Sequence, residues 1–157
     1  MSATRFRRIP RAAWETPAMQ ELLESGVVKC LEGQNKADIF WDDREAIENI
    51  NAGRTDAWLG MDIADDGGFT IKYIVLTSEI RARGRDYLHI ECISKANDAP
   101  ALDKADWLTI ERSLMAYGKE RGKAGAIINI RSSMRDMTPA LRKARVLTTL
   151  DIVEVRF

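Results

Sequence analysis

The sequence is short of the materials on which many protein functions depend. It holds one histidine, two cysteines and four prolines in 157 residues, and no Cys-x-x-Cys pair, so a zinc site has almost nothing to be built from. Net charge is also absent: 24 Lys plus Arg balance 24 Asp plus Glu. Nucleic-acid and acidic-membrane binding usually need a basic excess, so neither is expected as a partner. No apolar run approaches the roughly 18–20 residues that cross a bilayer. The first eleven residues carry Arg5, Arg7, Arg8 and Arg11 with no apolar stretch behind them, which does not read as a secretory signal. Low-complexity tracts, repeats and Pro/Gly/Ser linkers are missing too, which predicts one domain over 1–157. Cys30 and Cys92 stand alone among apolar neighbours and read as reduced core residues. A cytoplasmic protein is expected.

What is present is a globular composition, 45% hydrophobic and 31% charged, which is too apolar for a disordered chain. Residues 5–9 alternate as a short edge strand that Pro10 ends. Thr16 and Pro17 open a helix with Met19, Leu22 and Leu23 on one face, and Gly26 is expected to close it. Asp42 or Asp43 caps a second helix carrying Ala46, Ile47 and Ile50, with Gly53 as its stop.

The centre reads as an antiparallel meander. In 57–64, Leu59, Met61 and Ile63 share a face. Asp65-Asp66-Gly67-Gly68 turns the chain into 69–77, where Phe69, Ile71, Tyr73 and Val75 alternate with polar residues. A loop over 81–86 leads to 87–94, where Leu88, Ile90 and Cys92 alternate with His89 and Glu91. The period then changes. Trp107, Ile110, Leu114 and Tyr117 recur at helical spacing across 103–121, with Asp103 or Asp106 as cap, before an isoleucine-rich strand at 126–131. A strand, a helix and a strand in this order form a right-handed crossover with the two strands parallel. A short helix over 138–146 and a strand over 150–157 complete an α+β chain with a mixed sheet, antiparallel first and parallel later.

The segment Thr138-Pro139-Ala140-Leu141-Arg142-Lys143-Ala144-Arg145-Val146 and the element order together resemble the GNAT (Gcn5-related N-acetyltransferase) superfamily over nearly the whole chain. The short fourth helix of that family often ends in Tyr-x-Lys-x-Gly-Phe; Lys143 matches the Lys, while Leu141, Arg145 and Val146 replace Tyr, Gly and Phe. The resemblance implies a GNAT-like sheet and, in an active member, acyl transfer from acetyl-CoA to an amine. The family's pyrophosphate loop is Gln/Arg-x-x-Gly-x-Gly/Ala at the mouth of the long helix, where glycine allows close approach and free amides meet the phosphates. Here the corresponding residues 95–104 contain no glycine. Pro100 removes a donor, and Asp98 and Asp103 bring negative charge. The tyrosine that would protonate the leaving thiolate is replaced by Leu141.

The expectation is therefore a GNAT-like domain with a degenerate acyl-CoA site and no cofactor, acting as a binding or structural component with a protein partner or further copies of itself. An accessory protein of a bacterium or bacteriophage, cytoplasmic or, if phage-encoded, associated with the virion, would suit that description. The alternative is an active N-acetyltransferase. In it His89 or Glu91 would take the amine proton, and Lys95 and Lys104 would hold the pyrophosphate of acetyl-CoA beside the free amides of 103–106. Each of these residues also has a plainer reading as a solvated or ion-paired side chain. Trp41, in a loop between helices, is the aromatic best placed to contact a partner, though burial under the first helices is the favoured reading. Arg81, Arg83 and Arg85 form a basic turn that could hold an acidic group or merely face water.

Overall fold

The computed structural model describes residues 3–35 and 42–128, together with the isolated positions 138, 143, 155 and 156. The expected short helix over 138–146, most of the terminal strand and Trp41 lie outside the described residues. Five strands form one sheet in the order β1-β2-β3-β4-β5: β1 (Ala3–Arg8), β2 (Asp56–Ile63), β3 (Phe69–Ala82), β4 (Arg85–Lys95) and β5 (Ala126–Ile128). The first four pair antiparallel, and β5 joins β4 in parallel after the crossover helix α4 (Lys104–Glu120). The mixed α+β sheet read from the sequence is present.

One face of the sheet is covered by α1 (Pro17–Leu22), α2 (Val28–Asn35) and α3 (Asp43–Asn51), the other by α4. Leu23, Val27, Cys30, Leu31 and Ile50 pack on Leu59, Ile74 and Leu76 on the first face. Ile110 and Leu114 of α4 pack on Trp58, Tyr73, Val75 and Leu88 on the second. The helix starts use the residues their chemistry favours. Thr16 accepts a bond from the Met19 amide, and Asp42 accepts one from the Glu45 amide at 2.9 Å. Cys30 and Cys92 are both buried and unbridged, and burial pushes the Cys30 thiol up to about 12.

Three expectations change. Gly26 does not end the first helix. The chain widens into one π turn at Leu23–Val27 and continues as α2. The glycine is there for packing: a Cβ at that position would sit 2.5 Å from the Ile71 Cδ1 atom, so its absence lets sheet and helix close on each other. The 81–86 loop shrinks to a two-residue turn, because β3 runs on to Ala82 and β4 starts at Arg85. Only Arg83 (φ 51°) and Gly84 (φ 77°) lie outside the strands, both left-handed as a tight hairpin turn requires.

The third change is the most consequential. Strict alternation placed Phe69, Ile71, Tyr73 and Val75 on one face, and Leu88, Ile90 and Cys92 on another. A register shift between Gly60 and Met61 leaves Lys72 as an extra residue in β3. A second shift, between Leu76 and Thr77, leaves Glu91 as an extra residue in β4. Ile71 therefore faces the α1–α3 layer, whereas Tyr73 and Val75 face α4. Likewise Leu88 and Ile90 face α4, and Cys92 faces the other layer.

Tyr73 lies directly across from Gly60, and its ring occupies the space a side chain there would need, 2.3 Å from an idealised Cβ. Gly60→Ala should therefore destabilise the protein by about 1–3 kcal/mol, because a fully buried ring must shift. Tyr73→Phe should be neutral or slightly stabilising, since the hydroxyl is buried without a hydrogen-bond partner among the described residues. Urea unfolding of both variants checks the pair.

Candidate functional site

The crossover brings the end of β4 to the start of α4, and the loop between them is held in place from several sides. The Ala96 amide donates to the Lys72 carbonyl at 2.8 Å, and the Ala99 amide donates to the Ala96 carbonyl. Lys29 on α2 pairs with Asp98 at 2.9 Å. Lys95 turns its ammonium back on the loop, donating to the carbonyl oxygens of Ala99 (2.8 Å) and Ala96 (3.3 Å). Lys104 is exposed at the first position of α4.

At the mouth of α4 the free amides are met by the chain's own carboxylates. Asp103 accepts the Asp106 amide at 2.8 Å, and Asp106 in turn accepts the Asp103 amide at 3.1 Å, a reciprocal capping box. The Asp106 amide is the main reason the Asp103 carboxyl is held below its ordinary value, with Lys72 and the Ala105 amide adding to it. Asp106 is buried, and the same oxygen that accepts the Asp103 amide, Oδ2, meets the Lys72 ammonium at 2.8 Å. The bulge lets Lys72 and its neighbour Tyr73 both face α4. The hydrogen bond to Asp106 is also the first cause of the raised Lys72 pKa. The place where a helix end would attract an anion thus already contains two carboxylates and one ammonium.

The residues proposed for acid–base work sit elsewhere on β4. His89 lies across from Ser78, with Nδ1 and Oγ 3.5 Å apart. Glu91, the bulged residue, accepts a bond from the Thr55 hydroxyl at 3.2 Å. Both are half-buried on the side away from α4. Among the described residues β5 pairs with β4 only at Leu88, His89 and Ile90, so from Glu91 onward the outer edge of β4 carries no strand. Lys95 and Lys104 are near the helix mouth, but His89 and Glu91 are not brought to it. Arg81, Arg83 and Arg85 stand at the far hairpin, where Arg81 pairs with Asp86 at 3.4 Å.

Composition and periodicity did not single out Lys72, and they offered Asp106 only as a cap for α4. The one available signal was the run of acids after Pro100, which requires a nearby cation. They also passed over a cluster at the other end of α4. Tyr117 donates to Asp56 at 3.0 Å, with the Arg8 and Arg121 guanidinium groups 5.3 and 5.5 Å from its ring centre. Arg121 and Lys123 both grip Glu79, at 2.7 and 3.0 Å.

No protein-family model matches the sequence, and no curated protein does. Solved structures do. The chain superposes on a ribosomal-protein-alanine N-acetyltransferase from Brucella melitensis biovar Abortus 2308, covering 99% of each chain with a TM-score of 0.56 at 14% identity. The fold is that of the GNAT acetyltransferases. A Trypanosoma brucei acetyltransferase matches over 98% of this chain and all of its own, with a TM-score of 0.58 at 13% identity. An aminoglycoside acetyltransferase from an uncultured soil metagenomic sample matches over 98% of this chain and 99% of its own, with a TM-score of 0.60 at 13% identity. Identities this low carry the GNAT fold and leave the chemistry to the individual residues.

Lys72→Met should cost about 3–5 kcal/mol, because it strands a buried carboxylate, and Lys72→Met/Asp106→Asn should recover part of that loss. Denaturant titration of the two variants reads this directly. The Arg121 guanidinium, helped by Lys123, holds the Glu79 carboxyl below its usual 4.5. A depressed carboxyl stabilises the fold above its unfolded value and loses that contribution as pH falls through its folded one. The stability gap between wild type and Glu79→Gln should accordingly be steady above pH 4.5 and close below it, and thermal melts across pH check this.

Proposed function

We propose that this GNAT-fold chain is a binding or structural component of a larger assembly whose acyl-CoA site is closed by its own side chains. The observation that carries the reading is the capping box at α4. The Asp103 carboxylate takes the Asp106 amide, and Asp106 is tied to Lys72. A pyrophosphate would have to displace one carboxylate and approach another, in a loop where Lys95 is committed to backbone carbonyls. Glycine-free backbone and Pro100 narrow the approach further. No cofactor is therefore required, and the partner is a protein or another copy of the chain. Overall neutrality argues against nucleic acid. Among the described residues no helix is long and apolar enough to cross a membrane. The setting that fits is the cytoplasm.

A second reading, an N-acetyltransferase using acetyl-CoA, draws support from the acetyltransferases whose fold it resembles. In that reading Glu91 or His89 accepts the amine proton, and Lys95 and Lys104 contact the pyrophosphate.

Isothermal titration with acetyl-CoA separates the two. Wild type should give no binding heat, whereas Asp103→Gly/Asp106→Gly, which frees the helix amides, should gain measurable affinity if it remains folded by circular dichroism. Micromolar binding by the wild type would overturn the proposal.

A further inference from the structure

β3 is 14 residues long, about 45 Å from end to end at roughly 3.3 Å per residue. Its two ends are chemically opposite, and each presents an exposed apolar side chain. At its start the Asp65-Asp66-Gly67-Gly68 turn delivers Phe69, 51% exposed. Beside Phe69 lies an open hollow of about 270 Å³, walled almost wholly by apolar groups that include Met19, Leu22, Met61 and Ile63. That exceeds the ~150 Å³ that can hold a benzene ring. At the other end Ile80 is 38% exposed and is followed by Arg81, Arg83 and Arg85.

Charge separation accompanies this shape. The turn before β3 carries Asp65 and Asp66. At the hairpin end, Arg83 and Arg85 have no ion pair among the described residues. Arg83 also holds φ 51°, a backbone position that asparagine or glycine adopts more cheaply, so an arginine is kept at the tip against local preference. Knob and hollow lie on the same face of the sheet. Glu79 reaches toward the end of α4, so its neighbour Ile80 points to the face of α1–α3, where the hollow is.

We infer that copies of this chain associate head to tail: the Ile80 tip of one enters the hollow beside Phe69 of the next, and Arg83 and Arg85 face Asp66. Two tips would repel each other by charge, as would two acidic turns, so the contact is directional. Because it joins two different surfaces it leaves one of each free, and it builds a ring or an open filament. This names the partner in the assembly reading above and rests on that part of it.

Sedimentation velocity of the full chain in low salt tests it. The wild-type mass should climb past that of one 17.7 kDa chain with concentration and fall back as salt is added. Ile80→Asp and Phe69→Asp should each sediment as single chains, and their equimolar mixture should stop at a pair, because each variant retains the surface the other lacks. Arg83→Asp, at an exposed turn, should weaken association at least tenfold without touching the core. A wild type that stays single at every concentration, variants that associate as it does, or a mixture that does not pair would overturn the inference. Acetyl-CoA titration of the same samples keeps the two questions apart: binding by an associating wild type would defeat the closed-site reading and leave this one standing.

Discussion

The contact between Lys72 and Asp106 organises the half of the molecule where a cofactor would lie. Both groups are largely withdrawn from water, with side chains 12% and 6% exposed, so neither charge tolerates the loss of the other. The pair joins the middle of the sheet to the first turn of α4. Through the capping box it also sets how the loop before that helix approaches it. The start of α4 is consequently rigid, self-satisfied and low in spare donors. A helix mouth of this kind has its positive end neutralised from within.

Two single-residue insertions set which side chains share a face with that contact. Without the bulge at Lys72, alternation from Ile71 would put Tyr73 under α1–α3; with it, Lys72 and Tyr73 both face α4, Tyr73 against Phe6 and Gly60. The bulge at Glu91 does similar work on β4, turning Cys92 to the face opposite Ile90. Sheet irregularities here determine which side chains meet, and the glycines at positions 26 and 60 give the resulting bulky groups room to close.

The GNAT fold thus carries two separable properties. Its helix mouth holds an internal salt bridge between Lys72 and Asp106. Its longest strand, meanwhile, runs from an apolar hollow beside Phe69 to an arginine-bearing turn past Ile80. They use opposite faces of the sheet and do not compete.

Much of this was readable from residue order. Helical spacing of Trp107, Ile110 and Leu114, the caps at Thr16, Asp42 and Asp103, and the turn at Asp65-Asp66-Gly67-Gly68 are local signals, and they specified the elements, the crossover and the resemblance to the GNAT fold. The absence of glycine at 95–104 and the placing of Asp98 and Asp103 there were likewise legible. The faces presented by Tyr73 and Cys92 were not readable, because a bulge is set by which residue of the neighbouring strand finds a partner, and one added residue inverts everything after it. The same holds for the Lys72–Asp106 bond, 34 residues apart in the chain. Local propensity determined which segments are helix or strand, and only the packing of the sheet against α4 decided which charges were buried together.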